Sequence, residues 1–106
     1  MFARSVYLHL KSNRLAEFMR AIDQKVVPML RTHKGFQDEL SLVVPNGTEA
    51  VSITLWDRLE DAENYGRGGY PEALRDLAKV TEGSPQVQIH EVTNSTFHKI
   101  ISQAAV

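Results

Sequence analysis

Cysteine is absent from all 106 residues. Disulfides, thiolate catalysis and cysteine-ligated zinc are thereby excluded, and a reducing compartment is allowed. Long apolar runs are missing too. Nothing approaches the roughly 18 apolar residues of a membrane span. The opening MFARSVYLHLKSNR has no long apolar core and no small-residue cleavage pattern, so it does not read as a signal peptide. A cytoplasmic setting is expected. An excess of one charge is also missing. Net charge is −1, which gives no basic field for nucleic acid and no charge run for an anionic membrane surface. Neither partner is expected. No phosphate loop is present, because GRGG lacks the lysine-serine ending and the strand-turn-helix setting. What remains is an ordinary apolar and charged balance at a length suited to one domain, 1–106.

Hydrophobic periodicity supplies the elements. RSVYLHLK (Arg4–Lys11) alternates, with Val6, Leu8 and Leu10 on one side and Tyr7 and His9 on the other, which predicts a strand. Ser12 is placed to cap a helix. Leu15, Phe18, Met19, Ile22, Val26 and Leu30 then recur at helical spacing, which predicts a helix from about Asn13 to Thr32. Pro28 should kink or end it. His33-Lys34-Gly35 stops it. Phe36–Val44 alternates again, with Leu40, Leu42 and Val44 together. Pro45-Asn46-Gly47-Thr48 predicts a hairpin turn. Val51, Ile53 and Leu55 are expected on the core face of the next strand, with Ser52, Thr54 and Trp56 facing away. Asp57 and Glu60 predict a capping box for a second helix. Gly83-Ser84-Pro85 should end that helix, and QVQIHEV (Gln86–Val92) is a fourth strand. The tail TNSTFHKIISQAAV could extend it.

The order β-α-β-β-α-β predicts an α+β fold of the ferredoxin-like kind: a four-stranded antiparallel sheet with both helices on one face. Val6, Leu8, Leu10, Leu40, Leu42 and Val44 are expected to face the helices. So are Val51, Ile53, Leu55, Val87 and Ile89. The other face then carries Tyr7, His9, Val43, Trp56, His90 and Val92. That face is too apolar for water, and a two-fold dimer stacking sheet on sheet would bury it.

One stretch stands apart. WDRLEDAENYGRGGY (Trp56–Tyr70) starts a helix and then meets Gly66, Gly68 and Gly69. Glycine costs up to roughly 1 kcal/mol in a helix relative to alanine, so three together predict a real break. The break could be a lid over a cavity, with Arg67 reaching an anionic oxygen. It could equally let the helix change direction in order to pack.

ITLWDRLEDAENY after a hairpin, HKGF opening the second strand, and the element order over nearly the whole chain resemble the antibiotic biosynthesis monooxygenase superfamily, the dimeric α+β barrel proteins. The resemblance implies a homodimer joined through its sheets, with a small-molecule cavity in each subunit between helices and sheet. Oxygenase members oxidise anthrone- or quinol-like aromatics without metal or flavin, so no cofactor is expected. The resemblance places Trp56, Tyr65 and Tyr70 beside that cavity as candidate catalytic residues. The haem-degrading branch carries an Asn, a Trp and a His where this chain has Val6, Tyr65 and Arg75, so haem cleavage is not expected.

Each candidate has a plainer reading. Trp56 could stack on a substrate or pack a core. Tyr65 and Tyr70 could donate to a substrate oxygen or pack with a wet tip. Arg67, His9 and His90 are the candidate substrate-binding residues. His9 and His90 lie on neighbouring strands and one face, so they could relay a proton, but two histidines make a poor metal site and none is expected. His33 and His98 read as solvated. The acidic residues Asp57, Glu60, Asp61 and Glu63 suit the positive end of a helix. Three functions follow. The first is a cofactor-independent monooxygenase acting on an aromatic or quinol-type molecule. The second is a non-catalytic small-molecule-binding or stress-related dimer. The third is an isomerase or decarboxylase using His9 or His90 as a base in a water-poor cavity.

Overall fold

The computed structural model describes residues 1–100. The elements are β1 (Phe2–Leu10), α1 (Leu15–Ala21), a π turn (Ile22–Val26), α2 (Val27–Leu30), β2 (Phe36–Val43), β3 (Glu49–Trp56), α3 (Leu59–Arg67), α4 (Gly69–Leu77) and β4 (Thr81–Glu91). The strands form one antiparallel sheet in the order β2-β3-β1-β4. Helices on one side of that sheet complete the expected ferredoxin-like α+β fold. No helix among the described residues is long and apolar enough to cross a membrane.

The first helical stretch is not one continuous α-helix. Pro28 has no N–H to donate to Gln24, and its ring crowds that carbonyl. The ladder widens just before it, and the Val27 N–H reaches back to the Ile22 carbonyl. Ser12 does not cap it. The cap position is Arg14, without a side-chain hydrogen bond, and Asn13 takes a positive φ of 61°. The predicted capping box is also absent. Arg58 holds the N-cap of α3, and Asp57 instead accepts a 2.7 Å hydrogen bond from Gln37 Nε2. The hairpin turn does form, with Asn46 at φ 59°.

Two strands face opposite to expectation. Val6 pairs with Ser52, Leu8 with Ala50, and Arg4 with Thr54. Paired residues share a face, so Ala50, Ser52, Thr54 and Trp56 face the helices, and Val51, Ile53 and Leu55 face away. On β2 the register shifts between Phe36 and Asp38. This bulge at Gln37 flips the parity, so Phe36 faces the helices while Leu40 and Leu42 do not. Val43, opposite Ala50, also faces the helices. Tyr7, His9 and His90 do lie on the outer face. Val87 and Ile89 pair with Val6 and Arg4 on the helix side, but at this edge they stay 43% and 37% exposed. Gly83-Ser84-Pro85 does not precede β4. It bulges inside it, with Gly83 at φ 74° and a register shift between Tyr7 and His9.

The core gathers Val6, Leu8, Leu10, Phe18, Leu30 and Trp56 between sheet and helices. The tail leaves the sheet after Glu91 and is not strand through residue 100. Residues 101–106 of the predicted extension lie outside the described residues. His98 is half-buried, contrary to the solvated reading, and pairs through Nε2 with Asp38 Oδ2.

Candidate functional site

The break at the glycines is one residue long. Gly68 separates α3 from α4 with φ −100° and ψ −74°. Its neighbours explain why glycine recurs. A Cβ on Gly69 would sit 2.6 Å from His33 Nε2 and 2.7 Å from Met29 Sδ, so α4 starts in contact with the end of α2. A Cβ on Gly66 would sit 3.3 Å from Arg4 Nη2, so α3 leaves room there for a guanidinium.

That guanidinium is the centre of the site. Arg4 shares the inward face of β1 with Val6 and Leu8 and is only 5% exposed. Its Cζ lies 4.0 Å from the Tyr70 ring centroid and 5.4 Å from that of Tyr65, a cation–π arrangement. Nη1 has no hydrogen-bond partner. Among the described residues no carboxylate forms an ion pair with it. Burial lowers the Arg4 pKa from its usual value, opposed by the neighbouring tyrosines.

The tyrosines shift the other way. Burial pushes the Tyr65 phenol up to about 12, with Arg4 pulling it down and Tyr70 and Glu39 adding to the rise. Burial also raises Tyr70, again opposed by Arg4. At neutral pH both phenols keep their protons and act as hydrogen-bond donors, not bases.

A cavity of about 20 Å³ opens beside them, room for roughly one water. Arg4, Ser52, Thr54, Tyr65 and Tyr70 give it polar groups. Val6, Leu8, Ile22, Val26, Leu74 and Leu77 give it apolar walls. The π turn contributes two of these, Ile22 and Val26. No carboxylate or imidazole lines it among the described residues. The nearest acid in this network is Glu39 on β2, which accepts from Ser52 Oγ at 3.1 Å and Ser41 Oγ at 2.6 Å.

Trp56 supports the site from behind. It is fully buried, stacks on Tyr65 at 5.0 Å, and meets Phe36 edge-on at 5.6 Å. Its Nε1 donates to Thr54 Oγ1 at 2.8 Å. It does not line the cavity. His33 joins this cluster edge-on, 5.5 Å from Tyr65 and 6.4 Å from Trp56, and is not the solvated loop residue expected. The other candidates are elsewhere. Arg67 is exposed and donates to Asn64 Oδ1 at 2.5 Å. His9 lies on the outer face, 2.8 Å from Glu49 Oε1. His90 pairs opposite Ala3, so the two histidines stand about 20 Å apart along β1. No cluster of three potential metal ligands occurs among the described residues.

Arg4 was not singled out in the sequence. The available signal was its parity: it alternates in step with Val6, Leu8 and Leu10, so a strand facing inward must carry it inward.

No protein-family model matches the chain, and no curated protein matches it. Solved structures do match over most of its length. A Nitrosomonas europaea protein described as a "putative antibiotic biosynthesis monooxygenase" aligns with TM-score 0.71 and 17% identity, covering 89% of this chain and 100% of that one. The fold is that of the antibiotic biosynthesis monooxygenase proteins. SnoaB, a cofactor-independent oxygenase from Streptomyces nogalater, shares that monooxygenase fold with TM-score 0.71 and 11% identity, covering 90% of this chain and 95% of its own. A monooxygenase from the gene ActVA-Orf6 of Streptomyces coelicolor, in complex with the ligand Nanaomycin D, gives TM-score 0.72 and 16% identity, with 92% of each chain covered. At these identities the antibiotic biosynthesis monooxygenase likeness is one of fold.

Proposed function

We propose that this chain is a cofactor-independent monooxygenase that oxidises a small aromatic or quinol-type molecule with O₂. The observation that carries the reading is the buried Arg4 guanidinium converging with Tyr65 and Tyr70 on one cavity. Oxygenation without a metal needs an electron-rich substrate anion. A fixed positive charge favours that anion, and two protonated phenols can donate to oxygen as charge develops on it. An anthrone-type CH₂ loses its first proton to solvent before it enters, since no wall group takes it; its anion then passes one electron to O₂ and the two radicals join in a C–O bond. The peroxide takes up a proton. Loss of water then leaves C=O, so one oxygen atom stays in the product and one leaves as water. The likeness of fold to a cofactor-independent oxygenase supports this reading.

Access to the site requires a movement. About 20 Å³ does not admit an aromatic ring. Tyr70, only half-buried and one residue past Gly69, is the wall best placed to swing. The alternative, a non-catalytic small-molecule-binding dimer of this fold, needs the same movement. The isomerase or decarboxylase reading lacks its required feature, since neither His9 nor His90 lines the cavity.

The reading includes a second copy of the chain over the outer sheet face. Leu40 and Leu42 are 51% and 50% exposed there, beside Val51, Ile53, Leu55 and Tyr7. A patch of that kind supports an interface.

Oxygen uptake by the metal-free protein, over a panel of anthrones and hydroquinones, tests the activity. We expect uptake above the spontaneous rate, reduced about 100- to 1000-fold in Tyr70→Phe, the scale of losing one well-placed donor. Uptake equal to the spontaneous rate for every compound moves the reading to the binding protein.

A further inference from the structure

We infer that the cavity takes its ligand as a ready-made anion, an aromatic ring bearing an acidic oxygen, with Arg4 as its counter-ion. This rests on the small-molecule reading of the same site and narrows its ligand class.

Three observations converge. First, a charged side chain this deeply buried ordinarily has a carboxylate or a full set of acceptors, because an unpaired buried charge is costly. Arg4 has neither: its Nη1 is unpaired and no acid forms an ion pair with it among the described residues. The cation–π contact with Tyr70 does not replace them. Tyr70 also contributes a hydrogen bond to the guanidinium, and Nη1 is still left without a partner. The unmet donor is an opening for an acceptor oxygen.

Second, the wall holds no base. Tyr65 and Tyr70 keep their protons, and Asp, Glu and His are missing from the lining. A neutral ligand needing deprotonation would find no wall group to take its proton. A ligand that arrives ionised needs none. Third, the remaining groups match such a ligand. Tyr65 and Tyr70 can donate to its oxygens, and the aliphatic walls and tyrosine rings accept a flat apolar body. An aromatic carboxylate and a phenol acidified by a neighbouring electron-withdrawing group both have this chemistry.

The experiment uses matched pairs. Benzoate is compared with benzamide, and 4-nitrophenolate, above its own pKa, with nitrobenzene. Binding is read in the wild-type protein from the Arg4 Nε–Hε NMR resonance and from Trp56 fluorescence. Trp56 is the chain's one tryptophan and stacks on Tyr65. We expect at least one anion to move the Arg4 resonance saturably and to bind about tenfold or more tightly than its neutral partner, the scale of one charge-assisted hydrogen bond. Arg4→Gln should erase that preference and Arg4→Lys should keep part of it. Neutral partners that bind as well as the anions overturn the inference. So does an Arg4 resonance unmoved by either anion at millimolar concentration, a readout that needs no variant to fold. A preference that survives in folded Arg4→Gln overturns it as well. The two readings fail separately. Oxygen uptake without an anion preference removes only this inference. An anion preference without uptake removes the oxygenase and leaves an anion-binding protein.

Discussion

Tyr65 holds its proton far into alkaline solution because ionising it would bury a phenolate between Trp56 and the helices. In the unfolded chain it ionises near 10. Folded, it is pushed up to about 12, burial being the main cause. Between those values the unfolded chain releases a proton that the folded one keeps. The contribution is therefore fully present below about pH 10 and lost as pH rises through about 12. Two units correspond to about 2–3 kcal/mol. Urea midpoints across this range should fall with pH in the wild type and less steeply in Tyr65→Phe. Tyr70, also raised, supplies the remainder. Parallel slopes in the two proteins would show that this phenol is not what titrates. At this scale the sequence was half legible. Tyr65 and Tyr70 were visible because they flank a glycine break, and they do converge on the cavity. Arg67 lay nearer in sequence than Arg4 but turns to Asn64 and solvent, since helix position decides which way a side chain projects. The inward position of Arg4 could be read from its parity with Val6, Leu8 and Leu10, but its meeting with Tyr65 and Tyr70 depends on how the helices pack on the sheet.

Elements were legible where local chemistry alone determines them. The Asn46 turn, the disturbance before Pro28 and the break between α3 and α4 each need one residue's own constraints. Which face a strand turns inward is a different matter. Alternation says that two faces differ. It does not say which one meets the helices when both carry apolar groups and a cavity needs polar ones. The Gln37 bulge compounds this, because one extra residue reverses everything beyond it. The cap expected at Asp57 is replaced by a hydrogen bond from Gln37, and the one expected at Ser12 fails because the helix starts later, with Arg14 at its N-cap. The glycine break makes a prediction that separates packing from propensity. At Gly68 an added Cβ meets nothing closer than the Asn64 carbonyl at 3.4 Å. Gly68→Ala should stabilise by up to about 1 kcal/mol through helix propensity and a less free unfolded chain. At Gly69 the same methyl meets His33, Met29 and, at 3.0 Å, Tyr65. Gly69→Ala should destabilise by about 1–3 kcal/mol, the cost of overpacking. Urea denaturation of both variants decides it. Equal effects would mean that α4 does not start pressed against His33.

Over the whole molecule, the two sheet faces have divided their work. The face toward the helices carries Arg4, Ser52, Thr54 and Glu39, and makes a polar cavity inside an aliphatic shell. The aliphatic residues that sequence periodicity assigned to that core lie on the other side: Leu40, Leu42, Val51, Ile53 and Leu55. A second core needs a second layer, and the described part of the chain provides only the short tail that pairs His98 with Asp38. A second copy of the chain, sheet against sheet, would supply it. An interface of ordinary size hides about 800 Å² per partner. Ile53 lies on the central strand β3, next to Ser5 on β1 and Leu40 on β2, and so near the middle of such an interface. A carboxylate there would be buried unpaired in the dimer and face water in the monomer. Ile53→Glu should therefore shift sedimentation from dimer to monomer at micromolar concentration. It should leave the Arg4 cavity, on the opposite face, able to bind its ligand. Wild-type protein that sediments as a monomer at the same concentration would reject the interface. A variant that stays dimeric would move the contact away from this face.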